Sequence, residues 1–228
     1  MSLVCVFPRI KEWQLPQSTY FIPHTLFTTC KQKQTVTTRL TNFQQALASN
    51  EAVSEWDDAD TALRAALYHL RHLSQAWKQV LSRSVYHMSM GNLVDVVFTL
   101  FLDPVLKAED ITESASRFVH SLFLEMARGS AELFFVGGGG IGEHSSSTIA
   151  VHEQDHQQRI QLAKKYTNTF DKSQAVGQFM CMRLDEIQRG LEEGVFLSVT
   201  AKELSHLIAA AFDDSEKRMA LLNALASK

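Results

Sequence analysis

The sequence predicts an all-α protein, an elongated bundle of about six to eight helices. Three observations lead to this prediction. Two helix-capping signals stand close together near the C-terminus, residues 58–82 carry a heptad-like apolar seam, and all four prolines lie at or before position 104. Because proline breaks helices more strongly than any other residue, the chain after position 104 can be helical wherever glycine permits.

Residues 200–226 are predicted to form a tight pair of helices at the C-terminus. Thr200 and Glu203 have the spacing of a capping box, in which the hydroxyl and the carboxylate each accept from the other residue's N–H. Val199 and Leu204 stand at the two hydrophobic staple positions. The apolar side of the first helix comprises Leu204, Leu207, Ile208 and Ala211. The second helix begins with the Asp213-x-x-Glu216 signal and has an apolar side of Met219, Leu222 and Leu225.

The clearest helix of the chain is predicted over residues 58–82, where Asp57 and Asp58 open it. Its seam repeats at intervals of three, four and seven residues, which is typical of a face packed against a neighbouring helix. Trp77 lies on this seam and is predicted to be a core residue. The seam consists of Leu63, Leu67, Leu70, Leu73, Trp77 and Val80.

Four further helices are predicted, over 25–49, 84–102, 113–127 and 172–193. The threonine run at 35–38 weakens the first of these. Asp103-Pro104 should end the second, because the residue before proline is disfavoured in helical geometry. Thr112 should cap the third and Gly129 should end it. Gly194 should end the fourth as a C-terminal glycine.

The predicted domain organisation has four parts. Residues 1–24 are an irregular lead-in, and residues 25–136 and 170–228 are two parts of one helical domain. Residues 137–169 are a flexible, polar insertion that opens with glycines and serines. Within it, residues 150–166 are predicted as a solvent-facing helix or a partly disordered segment.

Composition excludes several classes of function. The net charge of −3 gives no broad electrostatic reason to bind nucleic acid or anionic lipid. Cys5, Cys30 and Cys181 stand far apart, so we expect no disulfide framework and a reducing compartment. No run of 18 apolar residues occurs, and Pro8 and Arg9 interrupt the first ten residues, so we expect neither a membrane span nor a signal peptide and only peripheral membrane association.

One pattern in the chain is suggestive of metal chemistry. His152, Glu153 and His156 match the HExxH spacing, which on a helix would place two imidazoles on zinc and leave the glutamate to activate water. A third ligand is missing, because no glutamate lies between 157 and 185 and Arg159 replaces the glycine of the extended motif. A solvated polar helix is therefore the favoured interpretation, with a zinc hydrolase as the alternative.

Other candidate sites have simpler interpretations. Residues 137–142 lack the preceding strand and the Gly-Lys ending of a phosphate-binding loop, and Ser145–Ser147 lack a nucleophile elbow. His69 and His72 are predicted as surface histidines. We therefore predict no catalytic, cofactor-binding or metal-binding residue, and no cofactor.

The order of several short motifs resembles the C-terminal domain of the zeste-white ten family. The resemblance runs from Tyr68 to Phe134 and includes the terminal helix pair. Its motifs are the segment Leu70–Leu81 with Trp77, then Tyr86, Met90-Gly91-Asn92-Leu93, Glu109-Asp110-Ile111 and Glu132-Leu133-Phe134. Family members are longer and begin with coiled-coil and rod regions that this sequence does not contain. The resemblance therefore does not extend to partners that bind those regions.

The resemblance implies a non-enzymatic subunit of a tethering complex. It implies one assembly at the endoplasmic reticulum, with tethering and SNARE partners, that supports Golgi-to-ER transport. It also implies a kinetochore assembly with Rod and Zwilch that acts in the mitotic checkpoint. A generic helical adaptor is the other alternative, and packing of the 200–226 pair on the 58–82 helix is expected only if the resemblance holds.

Overall fold

The computed structural model describes residues 43–48, 53–134 and 149–226. These residues form helices and no strands, which confirms the all-α prediction. They include eight helices of ten or more residues and one additional turn. The helices are α1 (Phe43–Ala46), α2 (Val53–Val80), α3 (Arg83–Leu106), α4 (Glu113–Ala131), α5 (Ile149–Tyr166), α6 (Phe170–Phe179), α7 (Leu184–Glu193), α8 (Ala201–Ala211) and α9 (Glu216–Ala226). Most of the predicted 25–49 helix, the 1–24 lead-in and the 137–148 glycine–serine stretch lie outside the described residues.

Helix α3 lies at the centre of the bundle. It contacts α1, α2, α5, α6 and α8, and ten of its residues are buried. By length and composition it is the one helix of the described ranges that could cross a membrane. Its burial among five other helices explains the apolar composition without a membrane, because a helix that is apolar on several sides is typical of a protein core.

The most extensive helix contact joins α4 and α6. Gly177 permits it, because a Cβ at this position would lie 2.9 Å from Cβ of Phe123. His120 adds a polar link, with its Nδ1 2.7 Å from the carbonyl oxygen of Gly177. Since a carbonyl oxygen can only accept, Nδ1 carries the hydrogen in this contact.

The seam of α2 is confirmed in its first two thirds. Leu63, Leu67 and Leu70 are buried, whereas Trp77 is only partly buried against the core. Val80 was predicted to be in the seam, but it is 72% exposed at the last residue of the helix. The helix also begins at Val53 rather than at residue 58. The extra turn is held because Trp56 stacks on Phe118 of α4, with ring centroids 5.5 Å apart.

Two predicted helix ends are wrong. Helix α3 continues through Pro104 to Leu106. The proline removes only one backbone hydrogen bond, the one that its N–H would have donated to the carbonyl of Leu100, and burial of Val105 favours continuation. Helix α4 continues through Gly129 to Ala131. There, glycine allows α2 and α4 to approach, since a Cβ would lie 2.6 Å from Cδ1 of Leu67.

The single helix predicted over 172–193 is in fact two, α6 and α7. A new helix begins at Leu184 because the N–H of Arg183 donates to Oε2 of Glu186 at 2.8 Å, which satisfies a donor at the N-terminus. The predicted end at Gly194 is confirmed, with a left-handed φ of 78° that favours glycine. The helical alternative for 150–166 is also confirmed, as α5.

The terminal helix pair forms as predicted, but its neighbours differ. Helices α8 and α9 contact each other, and beyond this α8 packs mainly on α3 and α9 on α7. The predicted packing on α2 is therefore wrong. The apolar side of α9 is also shifted, because Leu221 and Leu225 are buried and Met219 is 51% exposed.

Candidate interaction surfaces

A buried polar node joins α2, α3 and the turn after α4. The Tyr86 hydroxyl donates to the carbonyl oxygen of Leu133 at 2.6 Å and lies 2.6 Å from Oγ of Ser74. Burial raises the pKa of Tyr86, although the hydrogen bond with Ser74 opposes this shift. Tyr86 and Leu133 both belong to the motifs of the family resemblance, and their contact fixes the relative positions of three elements.

Asp95 of α3 caps helix α6 from outside that helix. Its Oδ1 accepts from the N–H and the hydroxyl of Thr169 at 2.8 and 2.7 Å. Its Oδ2 accepts from the N–H and side-chain amide of Asn168 at 3.1 and 3.0 Å. A carboxylate at a helix N-terminus satisfies free N–H groups and is favoured by the helix dipole. This contact connects the central helix to the helix that packs on α4.

The predicted capping box of α8 is present and connects to α6. The N–H of Glu203 donates to Oγ1 of Thr200 at 3.3 Å, and the N–H of Thr200 donates to Oε2 of Glu203 at 3.1 Å. Lys172 of α6 donates to Oε1 of Glu203 at 2.6 Å. Partial burial raises the pKa of Glu203, but the bonds from Lys172 and Thr200 outweigh it, and the pKa is below its usual value. One carboxylate therefore caps α8 and holds it to α6.

Of the candidate metal motif His152, Glu153 and His156, the structure describes only the side chain of His156. Residues 152 and 156 lie on the same helix, α5, and the His156 side chain is exposed. The side chains of His152 and Glu153 lie outside the described ones. No group of three or more His, Cys, Asp or Glu side chains able to hold a metal ion occurs among the described residues.

The two histidines of α2 are surface residues, as predicted. His69 and His72 are exposed and pack against the ring of Tyr68, with centroid distances of 5.8 and 4.5 Å. Their rings stand at 70° and 73° to the tyrosine ring, which is the edge-on geometry that aromatic pairs prefer. The two histidine rings therefore pack against the exposed ring of Tyr68 and restrict its movement.

A shallow groove lies between α2 and α4 on the outer surface of the described helices. It is called the Tyr68 groove here, and is lined by Thr61, Arg64, Ala65, Leu67, Tyr68, His69, Arg71 and Glu125. Within it, the side chain of Tyr68 is 57% exposed. Exposed tyrosine side chains are often found at protein interaction sites.

Asp95, which caps α6, and Tyr68, which lies in the groove, were not singled out from the sequence. Asp95 is the single acidic residue between Asp60 and Asp103, and a lone carboxylate in an apolar helix is a signal that could have identified it. Tyr68 falls between the seam positions Leu67 and Leu70, so its place off the seam predicts exposure. The partner of Asp95 could not be identified in this way, because it depends on tertiary packing.

A comparison with protein-family models identifies the chain. Residues 61–225 match the model described as the ZW10 C-terminal helical domain, which covers more than two thirds of the chain. The chain belongs to this family. It is the family that the sequence motifs resemble. A comparison with curated proteins gave no match.

The family match spans the features described above. It begins in α2 at the Tyr68 groove and ends in α9, so it includes Tyr86, Asp95 and Glu203. It also includes the segment 137–169, which stands inside the matched range. The family assignment therefore refers to the whole bundle of α2 to α9 and not to one motif.

Proposed function

We propose that this chain is a non-enzymatic, partner-binding subunit of a vesicle-tethering complex that acts in Golgi-to-ER transport. In dividing cells it also serves in a kinetochore complex of the mitotic spindle checkpoint. Its partners are large helical subunits, of the Rod and Zwilch type at kinetochores and of the tethering and SNARE type at the endoplasmic reticulum. The chain is cytoplasmic and reaches membranes only through these partners.

Family membership is the observation that carries this proposal. The matched region is the helical bundle itself, residues 61–225. Helical bundles present long, rigid faces on which partner helices can dock. Tyr86 and Glu203, two described side chains with shifted pKa values, each bond to another part of the bundle and so hold helices together.

Affinity capture with quantitative mass spectrometry tests the proposal. The full chain, carrying an affinity tag, would be recovered from interphase and from mitotic extracts. Tethering subunits are expected in the interphase sample, and Rod and Zwilch subunits in the mitotic sample. Recovery of neither class in either extract would contradict the proposal, as would turnover of substrate by a chain that contains about one zinc ion, the stoichiometry of a catalytic zinc site.

A further inference from the structure

We draw no further inference here: the strongest candidate, the Tyr68 groove between α2 and α4, has both of its arginines already paired, Arg64 with Asp60 and Arg71 with Glu132, and nothing in the structure shows what covers it.

Discussion

At the scale of single residues, a few buried polar groups decide how the helices are joined. The hydroxyl of Tyr86 satisfies the carbonyl of Leu133 and contacts Ser74, although all three lie among apolar side chains. A buried acceptor that loses its donor costs more than the bond itself contributes. We therefore expect the Tyr86 hydroxyl to make a measurable contribution to the free energy of unfolding.

Replacing Tyr86 by phenylalanine should lower the free energy of unfolding by about 1–3 kcal/mol, the cost of leaving a buried polar group unsatisfied. The ring would still fill its space, so the loss isolates the hydroxyl. Chemical denaturation monitored by circular dichroism measures it. Tyr68→Phe is the matched control on the exposed face of α2 and should change stability by less than about 0.5 kcal/mol. Equal free energies of unfolding for the two variants would show that the hydrogen bonds of Tyr86 do not stabilise the fold.

The lowered pKa of Glu203 predicts how the stability of the fold depends on pH. Its pKa is lower in the folded chain than the ordinary glutamate value of 4.5, so its carboxylate stabilises the fold at neutral pH. That stabilisation is present above the ordinary value and is lost as pH falls through the lower, folded value. The Glu203→Gln variant should therefore be less stable than the unmodified chain at pH 7, with a difference that shrinks below about pH 4.5.

Thermal melts between pH 7 and pH 3 measure this dependence. Glu192→Gln, at an exposed glutamate of α7, is the control and should follow the unmodified chain across the range. A stability difference for Glu203→Gln that stays constant down to pH 3 would contradict the linkage of Glu203 to folding.

At the scale of elements, close helix contacts depend on single positions. Gly91 of α3 lies against the end of α5, and a Cβ there would stand 2.0 Å from the carbonyl oxygen of Tyr166. This contact involves backbone, which cannot rotate away. The adjoining rings of Tyr166 and Phe134 are stacked at 9° to each other, so a shift of α5 would disturb this aromatic packing as well.

Gly91→Ala should destabilise the fold by at least about 1–3 kcal/mol, the usual cost of overpacking. This is the opposite of the gain of up to about 1 kcal/mol that alanine gives in a helix without steric conflict. Gly190→Ala is the comparison and should cost less, because there the nearest atom, Cε2 of the Phe196 ring at 2.9 Å, belongs to a side chain and not to the backbone. Denaturant titration compares the two. Stabilisation by Gly91→Ala would contradict the close approach of α3 and α5.

The cap that Asp95 provides for α6 can be tested in the same way. Asp95→Ala removes four hydrogen bonds and should cost about 1–3 kcal/mol, as expected for charge-assisted bonds to a helix N-terminus. Asp103→Ala on the same helix removes an exposed ion pair with Lys107 at 3.6 Å and should cost at most about 1 kcal/mol. If both variants melt at the same temperature, the cap is energetically unimportant.

At the scale of the whole molecule, local signals in the sequence predicted the helices better than their ends or neighbours. The capping box of Thr200 and Glu203 and the caps at Thr112 and Gly194 are local, and the structure confirms them. Pro104 and Gly129 gave wrong ends, because burial and helix contacts outweighed their local preferences.

The arrangement of the helices was not predictable from the sequence for the same reason. The break between α6 and α7 and the packing of α8 on α3 depend on contacts between distant residues, as does the pairing of Asp95 with Thr169. A periodic seam indicates that a helix face is buried but not which helix covers it. The family resemblance, by contrast, rested on the order of short motifs, and the family match confirms it.

The central claim is that the outer faces of this helical bundle bind partner proteins. Hydrogen–deuterium exchange of the full chain, alone and in complex with a captured partner, tests it most directly. The account predicts new protection on outer faces of the bundle, with α3 strongly protected in both states because it is buried at the centre. Protection gained only outside α2 to α9, with these helices unchanged, would contradict the claim.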